Sequence, residues 1–179
     1  MSFQIIDYFK RQENVFNKIA AYLKFCSHKF KNKKLLCIFD IDETLLFTSK
    51  SGNQVTHHPL GKKIYHYCLN HNIEIALITA REGSVASLEY LMNQLNILKY
   101  ENHIKVFMQS KKDECTSLYK YQKRKQLSKN YHIILNVGDQ MSDLFKNDPQ
   151  SFEICKSTYY FLKVKDDPSF ASLKLVDLN

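Results

Sequence analysis

The chain has 179 residues, 44% of them hydrophobic and 13% aromatic, which suits one domain with a sizeable core and excludes a disordered chain. Lys and Arg number 26 against 18 Asp and Glu, a formal net charge of +8 that favours phosphorylated molecules or nucleic acid as partners, or simply Lys-rich solvated faces. No apolar run approaches a membrane span, and Met1-Ser2-Phe3-Gln4 has neither a basic nor an apolar leader region. The expectation is a cytoplasmic protein with no membrane partner.

The spacing of Ile5, Phe9, Phe16, Ile19, Leu23 and Cys26 predicts a helix over residues 3–26, with one apolar face. A basic linker, Lys29 to Lys34, leads into an apolar strand, Leu35 to Phe39. Asp40 and Asp42 follow it, one residue apart. Two carboxylates so close repel one another, which a chain tolerates when a cation sits between them or one must accept a proton. An ordinary aspartate turn with a threonine N-cap is the plainer alternative. Residues 48–56, with Gly52-Asn53, read as a loop or short hairpin.

Pro59 suits the first turn of a second helix whose inner face carries Leu60, Ile64, Tyr67, Cys68 and His71. A strand over 73–78 ends at Thr79-Ala80-Arg81. Ser84 then caps a helix to Leu95, with Val85, Leu88, Leu91 (or Met92) and Leu95 inward. A short strand over 104–108 precedes a Lys-rich, largely helical segment, 110–129. A fourth strand, 132–137, ends at Gly138-Asp139-Gln140, and Ser142 is placed to cap a short helix through Asp143-Leu144-Phe145. The last strand covers 158–164.

Strands alternating with helices make this an α/β fold, a three-layer sandwich around a five-stranded parallel sheet in a single domain, 1–179, with the N-terminal helix within 1–30 and the core over 35–165. Right-handed crossovers bring Asp40, Asp42, Thr79 and Asp139 to the carboxyl edge, where such sheets hold ligands. Five cysteines without a CxxC pair read as reduced, mostly buried thiols. His57, His58, His66 and His71 match no zinc spacing.

Asp40-Ile41-Asp42-Glu43-Thr44 resembles the first motif of the haloacid dehalogenase (HAD) superfamily of phosphatases. Ile78-Thr79-Ala80-Arg81 resembles the second motif, and Gly138-Asp139-Gln140-Met141-Ser142-Asp143 the fourth. Tyr119-Lys120-x-x-Lys123-Arg124 is similar to the third-motif segment of the acid phosphatase and vegetative storage protein branch, subfamily IIIB, except that Tyr121 stands where that branch has serine. The order departs from response-regulator receivers, since no aspartate ends the 104–108 strand.

The resemblance implies roles that the chemistry suits. Asp40 would be the nucleophile and Asp42 the general acid and base. Thr79 and the main chain at Ala80 would bind the phosphoryl oxygens, and Lys120 would offset charge, with Lys111, Lys112 and Lys123 as competitors for that part. Magnesium would be held by Asp40, the main-chain carbonyl of Asp42, Asp139 and, directly or through water, Asp143. Arg81 and Arg124 would be ion-pair partners or substrate contacts.

The gaps between motifs leave little or no room for a cap domain. An open site suits nucleotides, nucleic-acid ends or phosphoproteins, on a monomer or homodimer. The alternative is a non-enzymatic storage or binding protein on the same scaffold. Storage relatives tend to lose the nucleophile, which this chain keeps.

Overall fold

A computed structural model describes residues 3–48, 55–110, 115–143 and 158–161. The first helix, α1 (Phe3–Lys29), leads into β1 (Leu35–Phe39). A hairpin of β2 (Leu46–Thr48) and β3 (Val55–His57) precedes α2 (Pro59–Asn70). Then come β4 (Glu74–Glu82), α3 (Val85–Ile97), β5 (Lys105–Gln109), α4 (Thr116–Leu127), β6 (His132–Gly138), a 3-10 turn at Met141–Asp143, and β7 (Thr158–Phe161). The main sheet has the order β5-β4-β1-β6-β7, and every neighbouring pair in it is parallel.

β1 is central and buried throughout, as an apolar run with no polar face must be. Its side chains alternate between two cores. Leu35, Cys37 and Phe39 join Ile19, Leu23 and Cys26 of α1, Ile64 and Cys68 of α2, and Leu91 and Leu95 of α3. Leu36 and Ile38 face the other way, against Tyr119 and Leu127 of α4. Three helices therefore cover one face and α4 covers the other, the expected three layers.

Local signals explain most boundaries. Pro59 opens α2 without wasting an N–H, and the His58 ring accepts from the Gly61 N–H at 3.2 Å. Ser84 and Ser87 form a capping box at the start of α3. Gly61 is dictated by space, since a Cβ there would lie 2.1 Å from the Thr44 carbonyl oxygen. The turn after β1 is thus pressed against α2. It is also held by the Leu45 carbonyl, which accepts from the His58 N–H at 2.8 Å and the Tyr100 hydroxyl at 2.9 Å.

Several expectations need correction. α1 runs to Lys29, and β4 runs to Glu82, so Thr79-Ala80-Arg81 lies inside the strand. Val85 and Leu88 point outward, 77% and 42% exposed, because the buried stripe of α3 is centred on Leu91 and Leu95. His71 is the exposed C-cap of α2, and Tyr65 lies in the core instead. Ser142 sits within the 3-10 turn and caps nothing. Cys115 is exposed, whereas Cys26, Cys37 and Cys68 are buried free thiols. Ile5 and Phe9 of the α1 stripe, Leu144, Phe145, Cys155 and the end of the last expected strand lie outside the described residues or side chains. No described helix is long and apolar enough to cross a membrane.

Candidate active site

The site lies at the carboxyl edge of the sheet. Asp40 leaves β1 with its N–H still bonded to the Val137 carbonyl of β6 at 2.8 Å. By the alternation of β1 its side chain faces α4, where Lys120 lies. The Lys120 ammonium donates to Asp40 Oδ1 at 2.6 Å and also to Asp143 Oδ1. All three groups are buried, at 6%, 3% and 5% exposure for Asp40, Lys120 and Asp143. A buried ammonium with no partner would cost several kcal/mol, so this lysine marks a built site. Of its competitors, Lys123 lies over the rings of Phe107 and Tyr119, and Lys111 and Lys112 lie outside the described residues.

Gly138 and Asp139 end β6, and the 3-10 turn folds Asp143 back over Gly138. A Cβ at Gly138 would sit 2.3 Å from three atoms of the Asp143 side chain, so only glycine lets that carboxylate lie there. Asp143 Oδ2 accepts from the Gln140 N–H at 3.0 Å. Arg124 Nη1, from α4, donates to the Ser142 and Asp143 carbonyls at 3.2 and 2.8 Å and holds the turn against the helix.

One carboxylate oxygen each from Asp40, Asp139 and Asp143 lies within 4.8 Å of the others. Burial and then Asp143 push Asp40 up to about 8, although Lys120 pulls it back. Burial and then Asp143 raise Asp139 to about 6. Burial pulls the Lys120 ammonium down, and Asp40 and Asp143 more than reverse it. Three carboxylates and one ammonium leave an excess of negative charge on hard oxygen donors. That donor set fits a divalent cation.

Asp42 has different surroundings. The turn after it carries Glu43 at φ 56°, a left-handed conformation that costs a non-glycine residue about 1 kcal/mol and often marks a functional turn. Glu43 N–H donates to the Leu46 carbonyl at 2.7 Å, and Thr44 Oγ1 donates to Asp40 Oδ2 at 3.3 Å. The Asp42 carboxylate turns away from the three-oxygen group. It accepts from Arg81 Nε at 3.0 Å, Arg81 Nη2 at 2.6 Å and Thr79 Oγ1 at 3.3 Å. Of the expected metal residues, Asp42 is thus left with its main-chain carbonyl.

A bulge explains how Arg81 reaches back. Thr79 pairs with Met108 and Glu82 with Gln109, so Ala80 and Arg81 are looped out of the ladder. The Arg81 N–H bonds Thr79 Oγ1 at 3.1 Å, and Arg81 Nη1 donates to Gln94 of α3 at 2.8 Å. Thr79 is fully buried and Ala80 exposed. Arg81 is thus an ion-pair partner, one of the two parts expected of it, and Gln94 carries no signal in the sequence. Only the rotation of α3 about its axis brings them together.

The profile of the HAD superfamily, subfamily IIIB (acid phosphatase), matches residues 50–162. Among curated proteins none matches. Among solved structures, the class C acid phosphatase from Bacillus anthracis superposes with a TM-score of 0.61 at 20% identity, over 75% of this chain and 64% of that one. Its tungstate-bound form gives 0.60 at 19% identity, with the same coverage. This chain therefore spans about 64% of the length of that relative. The likeness shows a common fold, and the profile covers more than half of the chain, from the hairpin to β7. The chain belongs to the HAD superfamily, subfamily IIIB, the acid phosphatases.

Proposed function

We propose that the protein is a magnesium-dependent phosphomonoesterase acting through an aspartyl phosphate. The observation that carries this reading is the convergence of Asp40, Asp42, Thr79, Lys120, Asp139 and Asp143 at one sheet edge, around paired acids and one buried lysine.

Asp40 attacks phosphorus with a carboxylate oxygen as the bond to the leaving oxygen breaks, and Asp42 gives that oxygen a proton. Water then attacks the phosphoryl group, Asp42 takes its proton, and phosphate leaves with the Asp40 carboxylate restored. Lys120 offsets the charge of Asp40 and balances charge on the phosphoryl oxygens. Asp40, Asp139, Asp143 and the Asp42 carbonyl would hold magnesium, which supplies charge neutralisation for the phosphoryl oxygens. Thr79 Oγ1 and the main chain at Ala80 face the transferred group. A phosphate dianion competes with Asp42 for Arg81, and a guanidinium drawn onto substrate uncovers Asp42 for its proton transfer.

Among the described residues no second domain covers the edge, which supports bulky substrates such as nucleotides, nucleic-acid ends or phosphoproteins. Turnover of an aryl phosphate with magnesium, measured for wild type and Asp40→Asn, tests the reading. Loss of turnover in the variant is expected. Equal rates would remove Asp40 as nucleophile, and no turnover by wild type across a broad ester panel would favour a storage or binding role.

A further inference from the structure

Among the described residues, part of the positive charge lies well away from the site. Every strand of the main sheet runs the same way, so the starts of the strands form an amino edge opposite the carboxylates. β1 alone separates the two edges by about 16 Å at the rise of a strand. Lys29, Lys31, Lys33 and Lys34 lie at that far edge, just before β1, and all are exposed. Exposed Lys129 joins them from the turn before β6, because β6 lies beside β1 and the His132 N–H donates to the Lys34 carbonyl at 2.8 Å.

Rings are interleaved with these cations. Phe25 is 51% exposed, and the Lys29 ammonium stands 5.3 Å from its centroid and 5.5 Å from that of Phe30. The Phe30 ring packs on His132 at 4.2 Å. Partly exposed Tyr131 is next in chain. The acid facing this group is Glu74, at the start of β4, which is hydrogen-bonded to Tyr131. Cations that track a backbone, beside faces on which bases stack, are the recurring composition of single-strand nucleic-acid surfaces.

We propose that the amino edge, around Lys29–Lys34, Lys129 and Phe25, is a docking surface for single-stranded nucleic acid, on the side of the molecule away from the catalytic edge. It anchors the protein to a polyanion and leaves the carboxylate edge open. An anionic membrane would meet the same lysines, but the exposed ring of Phe25 beside Lys29 favours bases.

The surface does not depend on the phosphatase reading, and binding is measured without turnover. The experiment is fluorescence anisotropy of a labelled single-stranded 20-mer at several salt concentrations, with the full chain. Wild type should bind, with affinity falling as salt rises by roughly 0.7 log units per log unit for each phosphate contacted. The combined variant Lys31→Glu, Lys33→Glu, Lys34→Glu should lose at least tenfold and flatten the salt dependence, with aryl phosphate turnover unchanged. Phe25→Ala should lose roughly fivefold or more, the lower range for one stacked base. Lys62→Glu, at the opposite end on α2, should bind as wild type does. Equal binding by the triple variant and wild type would overturn the proposal, as would capture by phosphatidylserine vesicles with no binding of the oligonucleotide.

Discussion

Replacing Gly138 by alanine tests the metal group most directly. The added Cβ would lie 2.3 Å from Cβ, Cγ and Oδ2 of Asp143, against ordinary contact from about 3.4 Å. Asp143 must therefore retreat by about 1.1 Å or turn away. It cannot do so while keeping both the Lys120 ammonium and the Gln140 N–H at 3.0 Å. The fold itself should survive, because Gly138 lies at the end of β6 and the carboxylate can swing toward solvent. A displaced metal-holding or supporting group typically costs 10–100-fold in affinity, and a misplacement of about 1 Å costs on the order of 100-fold in rate. Gly138→Ala should then need at least tenfold more magnesium for half-maximal thermal stabilisation, with turnover of an aryl phosphate down about 100-fold and circular dichroism unchanged. Wild-type magnesium affinity in a folded variant would refute the assignment of Asp143 to the metal group.

Other outcomes follow from the same geometry. Arg81→Lys cannot keep two bonds to Asp42 and a third to Gln94, so kcat/KM should fall about tenfold with little change in thermal stability; an unchanged ratio would make Arg81 a bystander. Asp40 is raised from 3.8 to about 8, so the metal-free fold binds a proton that the unfolded chain releases, and its stability falls as pH rises toward 8. His58, lowered from 6.5 to about 4 by burial, opposes this below pH 6.5. The visible window is therefore pH 6.5–8, where the metal-free melting temperature should drop by roughly 2–4 °C per unit and magnesium should restore more at pH 8 than at 6.5. A flat profile for metal-free protein would contradict the burial of Asp40. Gly61→Ala drives a Cβ to within 2.1 Å of the Thr44 carbonyl and should lower the melting temperature by about 4–8 °C, with overpacking worth about 2 kcal/mol; no loss of stability would mean that the turn yields freely.

The strands were readable because buried parallel strands are short apolar runs ended by polar punctuation, as Leu35 to Phe39 is by Asp40. Helix faces were less readable. The apolar count on α3 included Val85 and Leu88, yet burial is decided by how far the helix overlies the sheet, and its first turn projects past the core. The candidate residues that close strands could be proposed from position alone, since topology gathers them at one edge. Lys120 needed the resemblance, because a lysine in a Lys-rich helix has no local mark of burial. Arg81 and Gln94 could not be paired from sequence: their contact depends on a two-residue bulge and on the rotation of α3. The excess charge was visible in composition, but the meeting of Lys29, Lys31, Lys33, Lys34 and Lys129 at the amino edge is a property of topology.

The turn between Asp42 and Leu46 is fastened from below by Tyr100, by His58 and by the close approach of Gly61, and the β2–β3 hairpin continues from it as an arm rooted in the core by Leu46 and Val55. Lengthening such an arm costs little, about 0.6 kcal/mol for each doubling of its loop. New residues grafted at its tip could reshape what reaches the catalytic edge while the acids beneath keep their places. Selectivity in this architecture can thus evolve independently of chemistry, by growth at a single position.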